Sequence, residues 1–252
     1  NVDMVFHLAA CVSVQKSIDA PDFSKSINID GFFNVLHYAQ KAGVKKFIHA
    51  SSAAVYGNSS SPNQIGKESP LNPYAFSKLQ MDIIAKKFFY SKIPSLIGLR
   101  FFNVYGYGES YKGKTASTIY QFAQQALHHQ EIKIFENSEN YFRDFVYIHD
   151  VVDALISSMN VNNVFGCYNV GLGIKRSFLD VANNVLKAIL DSDFKFKTTI
   201  VEIKNPYKNY YQTDTQADIS LTTQDLHFNP KWSLEQGIND YVNLLIRDFN
   251  IQ

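Results

Sequence analysis

Cysteine is scarce: Cys11 and Cys167 are the only two in 252 residues. Two such thiols argue against a disulfide scaffold and a cysteine-based zinc site, and they suit a reducing cytoplasm. No metal is expected to take part. An excess of charge of one sign is missing too. The formal net charge is +1, with 24 basic and 23 acidic side chains and no long run of either. A nucleic acid or a membrane surface therefore finds no electrostatic footing. No uninterrupted apolar stretch is long enough to span a bilayer, and none reads as a signal peptide. Repeats and low-complexity tracts are absent. Glycine is present but not where a dinucleotide fold usually places it. None of the 12 glycines forms a glycine-rich turn after the first strand. Gly171-Leu-Gly173-Ile-Lys-Arg176 starts like that turn, but Arg176 stands at the third glycine position and the segment comes late. It reads as an ordinary strand-to-helix turn.

What is there fits a folded globular chain: 46% hydrophobic and 19% charged residues, with 14% aromatics expected mostly in the core. This length holds one sizeable core, or a large domain with a smaller lobe. Val2 to Ala9 is a short apolar run ending in small residues, as buried parallel strands do. Because the chain opens directly on that run, the expectation is a fragment whose opening strands and glycine-rich turn precede Asn1. Ser26 to Ala42 has helical apolar spacing and is closed by Gly43. Lys46 to Ala50 is the next strand, and Pro73 to Tyr90 a long amphipathic helix. Pro94 to Val104 ends in a third strand. Asp150 to Met159 and Ser177 to Leu190 read as helices, Cys167 to Val170 as a last sheet strand, and Leu234 to Phe249 as a terminal helix. Alternating strands and helices predict an α/β fold, a parallel sheet covered on both faces. Ligands bind such sheets at the carboxyl ends of the strands, where Ala9-Ala10, Ser51-Ser52 and Asn103-Val104 fall.

Tyr74 and Lys78 lie four residues apart and share one face of the predicted helix. A free tyrosine has a pKa of about 10. A neighbouring ammonium lowers it and prepares the phenol as a base near neutral pH. Ser52, upstream, can hold a substrate hydroxyl for that proton transfer. With 15 tyrosines, about one Tyr-x-x-x-Lys arises by chance, and one is found. The pair gains meaning only from its context.

That context is a set of ordered motifs. H-L-A-A (His7 to Ala10), S-S-A-A-V-Y-G (Ser51 to Gly57), P-Y-A-F-S-K (Pro73 to Lys78), R-F-F-N-V-Y-G (Arg100 to Gly106) and R-D-F-V-Y-I-H-D-V (Arg143 to Val151) span most of the chain. Together they resemble the extended short-chain dehydrogenase/reductase family of nucleotide-sugar enzymes. Tyr111 to Ser117 is similar to the H-K-G-S-M-A-S loop of the family's ADP-glycero-manno-heptose 6-epimerase branch. Phe135 to Asp144 and Tyr210 to Asp218 are similar to two further segments of that branch. Lys114 stands where the branch has serine, Gln121 where it has histidine, and the segment from His7 to Ser17 is closer to UDP-hexose 4-epimerases.

The resemblance implies a Rossmann-type doubly wound sheet with a smaller interleaved C-terminal substrate lobe. Residues 1–104 and 145–170 would form the dinucleotide domain, and 105–144 and 171–252 the lobe. It implies bound NADP, with NAD as the alternative, and a nucleotide-sugar epimerised by transient oxidation and re-reduction. Tyr74 and Lys112 would be the acid/base pair, Ser52 would position the substrate, and Lys78 would support Tyr74 and the nicotinamide ribose. Two opposed proton transfers give Lys112 its rationale, provided burial or Lys114 lowers its pKa enough to leave a neutral amine that can act as a base. Leu8, Ala9, Ala10, Cys11, Asn28, Ser51 and Val104 would touch the cofactor. Asn103, Lys114, Gln121, Phe135, Ser138, Arg143 and Tyr211 would hold the substrate, with Arg143 clamping the diphosphate. A homo-oligomer is also implied. The alternative substrate is a UDP-hexose, for a 4-epimerase or a related dehydratase. A non-catalytic nucleotide-binding protein is disfavoured because Ser52, Tyr74 and Lys78 are all present.

Overall fold

The computed structural model describes residues 2–90, 92–192, 197–205 and 214–251. In chain order its elements begin with β1 (Met4–His7), α1 (Val14–Asp19), α2 (Pro21–Lys25), a π-helical turn (Ser26–Gly31), α3 (Phe32–Lys41), β2 (Lys46–Ser52) and α4 (Pro73–Phe89). Then come β3 (Ser95–Phe101), β4 (Asn103–Tyr105), α5 (Thr118–His129), β5 (Glu131–Phe135), β6 (Phe142–Tyr147) and α6 (Ile148–Asn160). The chain continues through β7 (Phe165–Val170), β8 (Lys175–Ser177), α7 (Phe178–Leu190), β9 (Thr199–Ile203), α8 (Ser220–Leu226) and α9 (Leu234–Ile251). No helix among the described residues is long and apolar enough to cross a membrane.

Phe47 and Ile48 are consecutive on β2 and enter different cores, which is what a sheet buried on both faces requires. Phe47 packs with Phe32 and Leu36 of α3 and with Met81 and Phe89 of α4. Ile48 packs with Ile97, Leu99, Ala154 of α6, and Leu226 and Phe228. The sheet is wholly parallel, in the order β1-β2-β3-β7, so the carboxyl ends of β1 and β2 share one edge. This is the doubly wound α/β arrangement expected. It belongs to a compact unit made of Asn1–Phe102, Val152–Val170 and Ala217–Asn229.

A second unit comprises Asn103–Val151, Gly171–Gln216 and Pro230–Gln252. Its core joins α5, α7 and α9 through residues such as Phe122, Val185, Ile189, Ile238 and Val242. Two small sheets complete it, β4-β6-β8 and β5-β9. Ser177 starts α7 with a capping box: its hydroxyl accepts from Asp180 N, and the Asp180 carboxylate accepts from Ser177 N.

The borders differ from those read in the sequence. Ala217–Asn229 joins the first unit, because Thr222 donates to the Asn169 carbonyl and Leu226 and Phe228 fill its core. Asn103, Val104 and the 145–151 stretch go to the second unit, since Asn103–Tyr105 pairs with Phe145–Tyr147. The single helix expected over 26–42 is interrupted by the π-turn, which carries Asn28.

Candidate active site

Asn72 and Pro73 set the start of α4. The Asn72 side chain accepts from Ala75 N at 2.9 Å, and Pro73 occupies a first-turn position where a missing N–H costs nothing. The first turn is also tied to α1, because Tyr74 N donates to Ser17 Oγ at 3.1 Å. Tyr74 is thereby fixed in backbone before its side chain makes any contact. Its hydroxyl is hydrogen-bonded by Ser52, which lies at the end of β2 and whose Oγ also accepts from Ala54 N. One helical turn on, Lys78 is only 2% exposed, and its ammonium donates to the Ala50 carbonyl at 2.8 Å. The expected trio therefore meets at the carboxyl edge of the sheet.

Its electrostatics differ from expectation. Burial pushes the Tyr74 phenol above its usual range and outweighs the Ser52 hydroxyl, which favours the phenolate; Cys11 adds to the rise. The predicted fall from Lys78 is not found, because that ammonium is turned onto a main-chain carbonyl. Burial also brings Lys78 down to about 8, against Asp82, which holds it up.

The turn after β1 completes this edge. Leu8 and Ala9 are exposed, Ala10 and Cys11 half-buried. Asn28 is fully buried: its Oδ1 accepts from Cys11 N at 2.7 Å, while Nδ2 donates to Cys11 O at 3.0 Å and Ser77 Oγ at 2.9 Å. Asn28 thus shapes the turn and does not face outward, contrary to a direct cofactor contact through its side chain. Ser51 corrects likewise. Its hydroxyl points inward and donates to Asp82 Oδ2 at 2.9 Å. The remaining set suits a nicotinamide nucleotide: an open, small-residue turn beside a buried ammonium and paired hydroxyls able to meet a ribose diol.

Sequence reasoning missed the charged network behind these residues. Asp82 accepts from His49, Ser51 and Arg100, and Arg100 also reaches Glu68 and Tyr56. Charged residues inside apolar stretches, Asp82 at a helical turn from Lys78 and Arg100 within β3, were the available signal.

In the second unit a cavity of about 430 Å³ is lined by Lys114, Gln121, Phe135 and Ser138, four of the expected substrate residues. Lys133, Tyr141 and Phe178 share its wall. The Ser138 hydroxyl is buried and has no hydrogen-bond partner among the described residues. Gln121 donates to the Gly113 carbonyl at 2.8 Å and so ties α5 to the 110–115 turn. Arg143 lies over the Phe178 ring at 5.4 Å. Asn103 donates to the Asp144 carbonyl at 3.2 Å, and Val104 pairs with Val146 on β6. The burial expected around Lys112 is absent: it is exposed and 3.9 Å from Glu109. Tyr211 lies outside the described residues.

Two buried carboxylates in this unit were also unforeseen. Glu109 accepts from Ser117 N, Ser117 Oγ and the Tyr241 hydroxyl, which anchors the Lys112 turn from below. Asp144 accepts from Leu172 N and Gly173 N, which fixes the strand-to-helix turn. Among the described residues no cluster of three or more His, Cys, Asp or Glu could hold a metal ion.

The chain is 32% identical over 249 residues to the ADP-L-glycero-D-manno-heptose-6-epimerase of Brachyspira hyodysenteriae, covering 97% of this chain and 76% of that protein. It is similar to the crystal structure of the Helicobacter pylori ADP-L-glycero-D-manno-heptose-6-epimerase, at 39% identity and a TM-score of 0.84, over 97% of this chain and 73% of that one. A Thermotoga maritima UDP-glucose 4-epimerase with UDP-glucose is similar at 27% identity and a TM-score of 0.84, over 98% and 78%. The profile of the NAD dependent epimerase/dehydratase family matches residues 1–171, a stretch that contains Ser52, Tyr74 and Lys78. The chain belongs to the NAD-dependent epimerase/dehydratase family.

Proposed function

We propose that the protein is a nucleotide-sugar epimerase that inverts C6 of ADP-glycero-manno-heptose by transient oxidation and re-reduction. The observation that carries this reading is the Ser52–Tyr74 hydroxyl contact one helical turn from the buried ammonium of Lys78. The named substrate rests on the two 6-epimerases to which the chain is similar over 97% of its length.

When bound, a nicotinamide cofactor supplies the reversible oxidation of the carbinol; NADP is the preferred form and NAD the alternative. Ser52 orients the substrate hydroxyl, and Tyr74 Oη takes and returns its proton. Lys78, its ammonium set by the Ala50 carbonyl, would support Tyr74 and the nicotinamide ribose. The Leu8–Cys11 turn bears the cofactor, with Asn28 acting through Cys11, and Ser51 through its main chain. Val104 completes the residues assigned to the cofactor. Lys112 serves as the second acid/base. The 430 Å³ cavity takes the nucleotide-sugar: Lys114 and Arg143 meet the diphosphate, and Ser138, Gln121, Asn103, Phe135 and Tyr211 complete the grip. The first unit is the dinucleotide domain and the second the substrate lobe. The protein works in the cytoplasm as a homo-oligomer.

A UDP-hexose 4-epimerase is the second reading, favoured by the opening segment and the likeness to the UDP-glucose enzyme. Incubating the protein with each ADP-heptose epimer and with UDP-glucose separates the two. Interconversion of the heptose epimers is expected. Turnover of UDP-glucose alone would replace the substrate assignment.

A further inference from the structure

Lys78 is held by a main-chain carbonyl, and that carbonyl belongs to Ala50, between two residues that both bind one side chain. His49 Nε2 lies 3.1 Å from Asp82 Oδ1, and Ser51 Oγ donates to Asp82 Oδ2 at 2.9 Å. Asp82 stands on α4 one helical turn beyond Lys78. We propose that Asp82 is a positioning residue for Lys78: it clasps β2 on both sides of Ala50 and thereby fixes the carbonyl that orients the catalytic ammonium.

The geometry makes Asp82 the hinge of this corner. Arg100 of β3 adds a bond to Oδ2 at 3.0 Å, so α4, β2 and β3 converge on one carboxylate that is 5% exposed. Burial pushes that carboxyl up, but the hydrogen bonds and charges of His49 and Arg100 outweigh it and hold it ionised, below the ordinary carboxylate range. The same negative charge favours the protonated form of Lys78. His7 on β1 is the other titratable group that bears on this lysine, while His49 on β2, Arg100 on β3 and Cys167 on β7 face Asp82. Of these, Asp82 is the acid that carries negative charge at neutral pH. His7 stays neutral there, since burial, with His49 and Lys78 adding, brings it down to about 4. An alternative in which Asp82 merely neutralises Arg100 does not account for the bonds to residues 49 and 51, which bracket the lysine's acceptor.

The proposal rests on Lys78 acting in catalysis, and the test separates the two claims. Lysine-labelled NMR of the full chain would follow the Lys78 titration in the wild type and in Asp82→Asn, alongside kcat for the epimerisation and thermal unfolding. The variant is expected to titrate Lys78 about one pH unit lower. Its kcat at pH 7 is expected to fall about tenfold or more, with the alkaline limb of the pH profile moved down. A folded Asp82→Asn whose Lys78 titration and pH profile match the wild type overturns the proposal, even if its melting temperature drops. Should Asp82→Asn not fold, Ser51→Ala removes one arm of the clasp and leaves the carboxylate. A reduced kcat with a native melting curve then supports the clasp, and an unchanged kcat overturns it. Lys78→Met is the separate control. Full activity in that variant would refute the catalytic reading itself, whatever Asp82 does.

Discussion

Tyr74 and Lys78 face opposing demands. Burial brings them to the sheet edge where chemistry can occur, and the same burial disfavours the charged form of each. For Lys78 the cost can be sized. A descent from 10.5 to about 8 in a nearly inaccessible group corresponds to roughly 3 kcal/mol. The folded value lies below the unfolded one, so this cost is present in full below about pH 8 and fades as the pH rises toward 10.5. Lys78→Met removes it but also removes the ammonium's bond to the Ala50 carbonyl, which takes back about 1–2 kcal/mol. The variant is therefore expected to be about 1–2 kcal/mol more stable than the wild type at pH 7 while losing activity. Urea unfolding at pH 7 and pH 10 checks this; the gain should shrink at the higher pH. His7 gives the converse acid-side effect. Held between Phe32 and Phe47 and brought down to about 4, it must stay neutral in the fold while the unfolded chain protonates near 6.5. Stability is expected to fall by about 1 kcal/mol between pH 7 and pH 5 on this account, after solvent screening. His7→Phe should flatten that slope in the same unfolding titration.

Elements were legible where a local signal set them. The helix over Pro73–Phe89 follows from Asn72, Pro73 and the spacing behind them, and β2 from its run of buried residues. The π-turn at Ser26–Gly31 was not, because nothing in S-I-N-I-D-G distinguishes it from a regular turn until Asn28 meets Cys11 and Ser77. The three-residue strands β4 and β8 exist only through their partners on β6. The loop after β2 depends on Gly57, which has φ +53°, and a Cβ there would lie 1.8 Å from the Ser69 carbonyl oxygen. Gly57→Ala is accordingly expected to destabilise the protein by about 2 kcal/mol or more, since backbone and not a flexible side chain blocks the methyl. Differential scanning fluorimetry reads this directly, and an unchanged melting temperature would mean the loop takes another path.

At the scale of the whole chain, the sequence conveyed the α/β class, the parallel sheet and the meeting of Ser52, Tyr74 and Lys78. It did not convey where the units divide, because Ala217–Asn229 joins the first unit through contacts with Asn169 made across about fifty residues. Nor did it convey the sign of the Tyr74 shift. That sign depends on how much of the ring is covered and on where the Lys78 ammonium points, neither of which a four-residue spacing specifies. The lining of the second unit's cavity was legible as a list: Lys114, Gln121, Phe135 and Ser138 are apart in sequence and line one space.

The account depends on Tyr74 Oη as the group that exchanges the substrate proton. The direct test is the rate of ADP-heptose epimer interconversion by Tyr74→Phe, measured with saturating cofactor and compared with the wild type. The account predicts a loss of about 10²–10⁴-fold in kcat with an unchanged fold. Interconversion at the wild-type rate by the folded variant would contradict it.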